Sequence, residues 1–169
     1  AGLLAAFPRV YTIILPALYI GVFLMLAGFI FRGVAFEFRF KARTSRYIWN
    51  WGFSIGSIVA AFAQGAVVGS YIQGFNVVDG VYVGGALDWL TPFTVLTGLG
   101  IVAGYGLLGA TWLILKSQGE LQAWAYKVTP WILLTVLVIF GIIGIWTPYV
   151  DNFVYQRWFT GFSPIWILP

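Results

Sequence analysis

The sequence predicts an all-α fold: a polytopic membrane helix bundle with four transmembrane helices plus partial helices at both ends. Three observations predict it. Four stretches, Val10–Phe31, Tyr47–Val78, Trp89–Leu115 and Val128–Val150, contain no Asp, Glu, Lys, Arg or His. A helix rising about 1.5 Å per residue needs roughly 20 apolar residues to cross a hydrocarbon layer about 30 Å thick, and each stretch is long enough. The chain is 61% hydrophobic and 8% charged, whereas soluble domains carry about 25% charged residues and keep polar faces for water. Finally, the basic residues alternate between the ends of these stretches.

Seven of the nine basic residues lie in two connections. Arg32, Arg39, Lys41, Arg43 and Arg46 follow the first span, and Lys116 and Lys127 bracket the connection after the third. Short basic loops stay on the cytoplasmic side. Residues 32–46 and 116–127 are therefore expected in the cytoplasm, and Arg9, residues 79–90 and the tail from 148 outside. This placement accounts for the net charge of +4 without nucleic acid as a partner.

The whole chain, 1–169, reads as one membrane domain with spans at about 10–31, 48–72, 92–115 and 130–147. Pro8 is expected to open the first span, and Pro16 lies early in it, where neighbouring helices accommodate a mild kink. Thr91-Pro92 and Thr129-Pro130 each pair an N-cap hydroxyl with Pro at the first helical position, and Thr147-Pro148 is expected to close the last span. Ser117-x-x-Glu120 has capping-box spacing, and Leu121, Trp124, Ala125 and Val128 recur at helical intervals. These predict a short interfacial helix before the fourth span. Trp49, Trp51, Trp89, Trp112, Trp131 and Trp146 fall near span ends and read as an aromatic belt. Ala1–Phe7 lacks an initiating Met and a charged n-region, so it reads as the last turns of a helix that starts earlier rather than as a signal peptide. Ser163–Pro169 resembles the start of a further apolar segment. The chain is expected to be an internal fragment of a longer protein.

Packing signals gather in the second and third spans. Gly52-x-x-x-Gly56, Gly65-x-x-x-Gly69, Gly100-x-x-x-Gly104 and Gly106-x-x-x-Ala110 place small residues one turn apart. Lipid supplies no hydrophobic drive for helix association, so small residues that permit backbone contact matter. Gly52, Gly56, Gly100 and Gly104 are thus candidate interface positions. Gln64 is the main strongly polar side chain within a span and is expected to hydrogen-bond a neighbouring helix. The chain contains no Cys and no His, which removes disulfides, thiolates and the commonest haem ligand and general base. Met25 is the only thioether, and a lone Met usually fills a packing gap. No catalytic, metal-binding or cofactor-binding residue is expected, and the segment points to a role that depends on a partner.

The stretch from Phe31 carries the most specific text: FRGVAFEFRFKARTSRYIWNW, continuing through GFSIGSIVAAFAQGAVVGSYIQG. Phe31, Arg32, Val34, Phe36, Glu37, Phe38, Arg39 and Lys41 fit the pattern FR, V-x-F-[DE]-[FY]-R-x-K that precedes a Trp-rich helix start. Gln73-Gly74, DWLTPF at Asp88–Phe93, GATW at Gly109–Trp112 and GEL at Gly119–Leu121 continue it. This collinear series resembles subunit II of the cytochrome bd-type quinol oxidases, including the cyanide-insensitive-like branch, over nearly the whole chain. The resemblance departs at Trp49-Asn50-Trp51, where many relatives have Trp-Asp-Trp, so any role for an acid there is in doubt.

The resemblance implies a longer subunit of two four-helix repeats, with Ala1 near the end of the second helix and Trp146 near the end of the sixth. It implies a heterodimer in the bacterial inner membrane in which subunit I holds the haems and oxidises quinol, passing electrons to oxygen. Subunit II would bind no haem and would supply scaffold, proton access and, in some relatives, a groove for bound quinone. The family's N-terminal acid linked to proton delivery has no counterpart in this sequence. Glu37, Arg39 and Lys41 would sit at the cytoplasmic mouth, where three roles stay open: mutual pairing, contact with the headgroups of membrane lipids, or proximity to proton uptake. The rival readings are a transporter or permease subunit, which would call for ionisable groups at mid-membrane depth, and a non-catalytic assembly factor.

Overall fold

The computed structural model describes residues 5–42, 45–150 and 155–156. The expected partial helices at residues 1–7 and 163–169, together with Arg43, Asp151 and Arg157, fall partly or wholly outside them. Four long helices follow one another: α1 (Pro8–Lys41), α2 (Arg46–Gln73), α3 (Pro92–Lys116) and α4 (Glu120–Val150). All four are long and apolar enough to cross a membrane. A two-stranded antiparallel hairpin, β1 (Val77–Val78) and β2 (Val81–Tyr82), lies between α2 and α3.

Two spans are longer than the charge-free runs suggested. α1 does not stop where charge begins at Arg32; its 34 residues reach Lys41, a rod of about 51 Å. Beyond the lipid-length segment it is held by local pairs. Lys41 Nζ lies 3.0 Å from Glu37 Oε1 one turn back, and the Phe36 and Phe40 rings meet edge-on at 5.3 Å. Most of the basic "loop" 32–46 is therefore helix, ending at Lys41, and α2 begins at Arg46. α4 likewise absorbs the predicted interfacial helix. It runs unbroken from Glu120 through Pro130 and Pro148 to Val150. Thr129 Oγ1 donates to the carbonyl of Ala125 and Thr147 Oγ1 to that of Ile143, both 2.7 Å. These threonines bond back along a helix already formed, so neither caps an end. Ser117 closes α3 instead of opening α4: its backbone N–H and its hydroxyl both donate to Leu113 O.

Other boundaries follow the local chemistry. Pro8 occupies the first position of α1. Thr91 caps α3, its hydroxyl accepting from Thr94 N while Thr94 Oγ1 accepts from Thr91 N at 2.8 Å, and Pro92 follows. The hairpin, which the helical reading of the sequence did not include, is built on Asp79-Gly80, both at positive φ (51° and 79°). An Asp-Gly pair is the preferred two-residue turn between short strands.

Each helix packs on its sequence neighbour, and α2 lies between α1 and α3, while α4 leans on α3. The buried face of α2 consists of Gly56, Ala60, Ala61, Ala63, Gly65, Ala66, Gly69 and Ser70. Without bulk there, the backbones meet. A Cβ built on Gly28 of α1 would come 2.8 Å from Gly56 O, and one on Gly56 would come 2.9 Å from Gly28 O. At the α2–α3 crossing, a Cβ on Gly65 would sit 2.8 Å from the Gly98 Cα, and one on Gly69 would collide with the Thr97 hydroxyl.

Candidate functional site

The antiparallel order places two different structures at the two ends of the bundle. One end gathers the C-termini of α1 and α3 and the N-termini of α2 and α4, and with them Arg32, Arg39, Lys41, Arg46, Lys116 and Lys127. Lys41 is consumed by Glu37, both side chains being exposed. Arg32 lies 5.9 Å over the Phe53 ring and Lys116 5.5 Å over that of Trp112. Phe38 of α1 stacks on Trp49 of α2 at 4.9 Å, clamping the hairpin of helices. Arg39, Phe40, Arg46 and Asn50 line a notch of about 280 Å³. Asn50 therefore borders a basic recess.

The opposite end is capped by residues 74–91. Here the aromatic-belt expectation fails for one residue. Trp89 is 5% exposed and forms a core with Ala17 and Leu18 of α1 and Ala66 of α2. Its indole lies against Gly21, where a Cβ would come 3.6 Å from the ring. Trp51, Trp112 and Trp131 remain exposed. Ser70 Oγ reaches Ala66 O at 3.0 Å and Trp89 O at 3.1 Å, and Thr91 Oγ1 donates to Gln73 Oε1 at 2.7 Å, stitching the cap to α2. Beneath it is a cavity of about 460 Å³ whose polar wall includes Gln73, Asn76, Tyr82 and Asp88. Tyr82 Oη donates to Gly85 O at 2.9 Å, and Asp88 Oδ2 accepts from Gly85 N at 2.7 Å. Burial, and secondarily the Asp88 carboxylate, hold the Tyr82 phenol above its ordinary value near 10. The Trp89 indole N–H is buried without a hydrogen-bond partner among the described residues.

Between these ends, Gln64 Oε1 accepts a hydrogen bond from Tyr105 of α3 at 3.1 Å, joining two helices at mid-span. The candidate glycines divide. Gly56 sits in the α1–α2 backbone contact; Gly52 faces only Ala35, at 3.6 Å from a built Cβ; Gly100 faces Ile139 of α4 at 3.1 Å; Gly104 faces open space. Gly28, the counterpart of Gly56, was not singled out from sequence, although Gly21 and Gly28 stand seven residues apart on one face of the first span. The sequence has no His or Cys, and among the described residues no group of three or more Asp or Glu side chains converges.

The fold and its two ends define a multi-pass membrane protein of closely crossed helices. The family described as cytochrome bd terminal oxidase subunit II matches residues 1–168, and the chain belongs to that family. It is 34% identical to the cytochrome bd-I ubiquinol oxidase subunit 2 of Escherichia coli over 161 residues, 90% of this chain and 42% of that protein. It is 31% identical to a probable cytochrome oxidase subunit 2 of Haemophilus influenzae, covering 96% of this chain and 45% of the relative. The cytochrome bd ubiquinol oxidase subunit 2 of Bacillus subtilis is 27% identical over 81% of this chain and 41% of its own length. The chain thus spans less than half the length of these curated relatives.

Proposed function

We propose that the full protein is subunit II of a cytochrome bd-type quinol:oxygen oxidoreductase of the bacterial inner membrane, paired with a haem-bearing subunit I. The observation that carries this reading is a family match along residues 1–168 on helices whose spans are free of charge. The haems, when bound in the partner, supply electron transfer from quinol to oxygen. The described residues supply shape: backbone contacts at Gly28–Gly56 and Gly65–Gly98 hold α1, α2 and α3 at fixed spacing, so that their outward faces form a rigid wall for the partner. Gln64–Tyr105 satisfies the strongest polar group within a span without introducing charge. Residues 32–46 and 116–127 lie in the cytoplasm by their basic content. Of the roles open to Glu37, Arg39 and Lys41, the 3.0 Å Glu37–Lys41 pair supports a structural one for those two. A quinone held along this subunit and proton access beside it are further parts of the reading. The charge-free spans oppose a transporter.

The test is purification of the full-length protein with its partner. The oxidase reading expects haem absorption and quinol-dependent oxygen uptake in that complex; a haem-free preparation that consumes no oxygen refutes it. Single cysteines placed at Gln118 and Asp79 in a cysteine-free background should label from opposite sides, with position 118 cytoplasmic.

A further inference from the structure

We propose that the Arg39–Arg46 notch is a binding site for the phosphate of an anionic phospholipid. The juxtaposition is of two guanidinium groups from different helices, one near the end of α1 and one at the start of α2, opening on a recess of about 280 Å³ with Asn50 as a third polar wall. Among the described residues, the other cations at this end of the α1–α2 pair are engaged. Lys41 is neutralised by Glu37 and Arg32 lies over Phe53, whereas Arg39 and Arg46 have no carboxylate within 4 Å among the described residues. Arg46, which lines the notch, donates its Nε to Ala42 O at 3.1 Å, and its two terminal nitrogens are not used in that bond. Two arginines bordering one space can make a phosphate receptor, since each guanidinium offers a planar fork of donors.

The surroundings identify the phosphate as a lipid's. Phe40, in the wall, is 69% exposed, and Phe36, one turn nearer the membrane, is 57% exposed. Arg32 lies on the same stripe of α1 four residues further in, and its contact with Phe53 shows that this stripe borders the α2 face carrying Asn50 and Phe53. The seam leading from the notch toward the spans therefore includes exposed aromatic surface at interfacial depth, suited to the glycerol region of a lipid and useless to a free anion. The charge-free run ends at Phe31, so the notch stands beyond the hydrocarbon edge, within reach of headgroups for a long side chain that bends back toward the interface. The proposal does not depend on the oxidase reading, and its failure would leave that reading untouched.

Native mass spectrometry on the full-length protein in mild detergent, with its accompanying subunits, tests it using phosphatidylglycerol, zwitterionic phosphatidylcholine and inorganic phosphate as probes. Wild-type protein should retain phosphatidylglycerol in preference to phosphatidylcholine, and millimolar inorganic phosphate should not displace it. Arg39→Gln with Arg46→Gln should weaken phosphatidylglycerol binding about 30-fold, since each cation near an anionic surface contributes about fivefold. Lys41→Gln, which removes a single positive charge outside the notch, should change it by less than about twofold. If the double glutamine variant does not accumulate, Arg39→Lys with Arg46→Lys keeps the charge and removes the forks, and severalfold weakening is expected. Undiminished binding in whichever double variant is measured, equal loss in Lys41→Gln, equal retention of phosphatidylcholine, or displacement by inorganic phosphate would each overturn the proposal.

Discussion

Where α1 crosses α2, the backbone of Gly28 lies against that of Gly56, and a methyl group on either would press within 2.9 Å of a carbonyl oxygen; where α3 meets α4, Gly100 faces only the side chains of Ile139 and Ile143. The first contact is rigid on both sides. The second is made by branched side chains that can rotate away. In lipid neither gains from a hydrophobic drive, so dispersion contacts between close backbones carry much of the first association. The apolar window of α4 has no buried residue, against 39% for that of α2. One half of the molecule is thus a fixed three-helix slab, and the other a helix resting on it with nearly all its surface turned outward.

Substitutions can break this comparison. The largest effect is expected for Gly56→Leu or Gly28→Leu, where a branched side chain has no space and the helices must separate. A loss of about 3 kcal/mol or more, or failure to assemble, should appear in thermal unfolding of the detergent-solubilised full protein. Near-wild-type melting of both variants would show that this crossing is not tight. Gly100→Ala tests the softer interface. Its Cβ would meet Ile139 Cγ2 at 3.1 Å, a contact that rotation relieves, so a change of about 1 kcal/mol or less is expected, and a collapse equal to that of Gly56→Leu would erase the distinction. Tyr105→Phe should cost about 0.6 kcal/mol, as for other hydrogen bonds between membrane helices. Gly104→Leu, facing open space, should lie within about 0.5 kcal/mol of wild type.

The cap over the opposite end sharpens the contrast through pH. Because folding raises the Tyr82 value above its usual 10, the phenol's contribution is complete below that pH and is lost as the pH rises through the folded value. Tryptophan fluorescence, reporting on the nearby Trp89, should therefore shift on alkaline titration well above neutrality. Tyr82→Phe should abolish the Tyr82-dependent part of that shift at a cost of about 0.5–1.5 kcal/mol for the lost bond to Gly85. A shift of unchanged size in the variant would assign it to another group.

Several features were readable before any coordinates. Thr91-Pro92 is a cap because its chemistry is local: a hydroxyl, a proline and three residues of spacing suffice. Gln64 found a neighbouring helix because a lone amide in a span has few other ways to be satisfied. Thr129-Pro130 carries the same local text as Thr91-Pro92 yet lies inside α4, because the turn before it is already helical and offers the Ala125 carbonyl. Trp89 sits at a span end like its five companions but is buried, since small residues at Ala17, Gly21 and Ala66 leave room for it, whereas Trp112 and Trp131 stay exposed. The hairpin at Asp79-Gly80 rests on an Asp-Gly turn between valines, a short local signal beside four much stronger helical ones.

The sequence by itself determined that the chain crosses a membrane, how many times, and which ends carry the positive charge, because transfer into hydrocarbon depends on the summed chemistry of about 20 residues and not on their partners. It also carried the family, through motifs set in fixed order. Tertiary structure decided which glycines touch, how far α1 and α4 extend past the lipid, and which arginines share a notch. Helices of this composition are apolar all round, so periodicity marks no face, and only the packed neighbours select one.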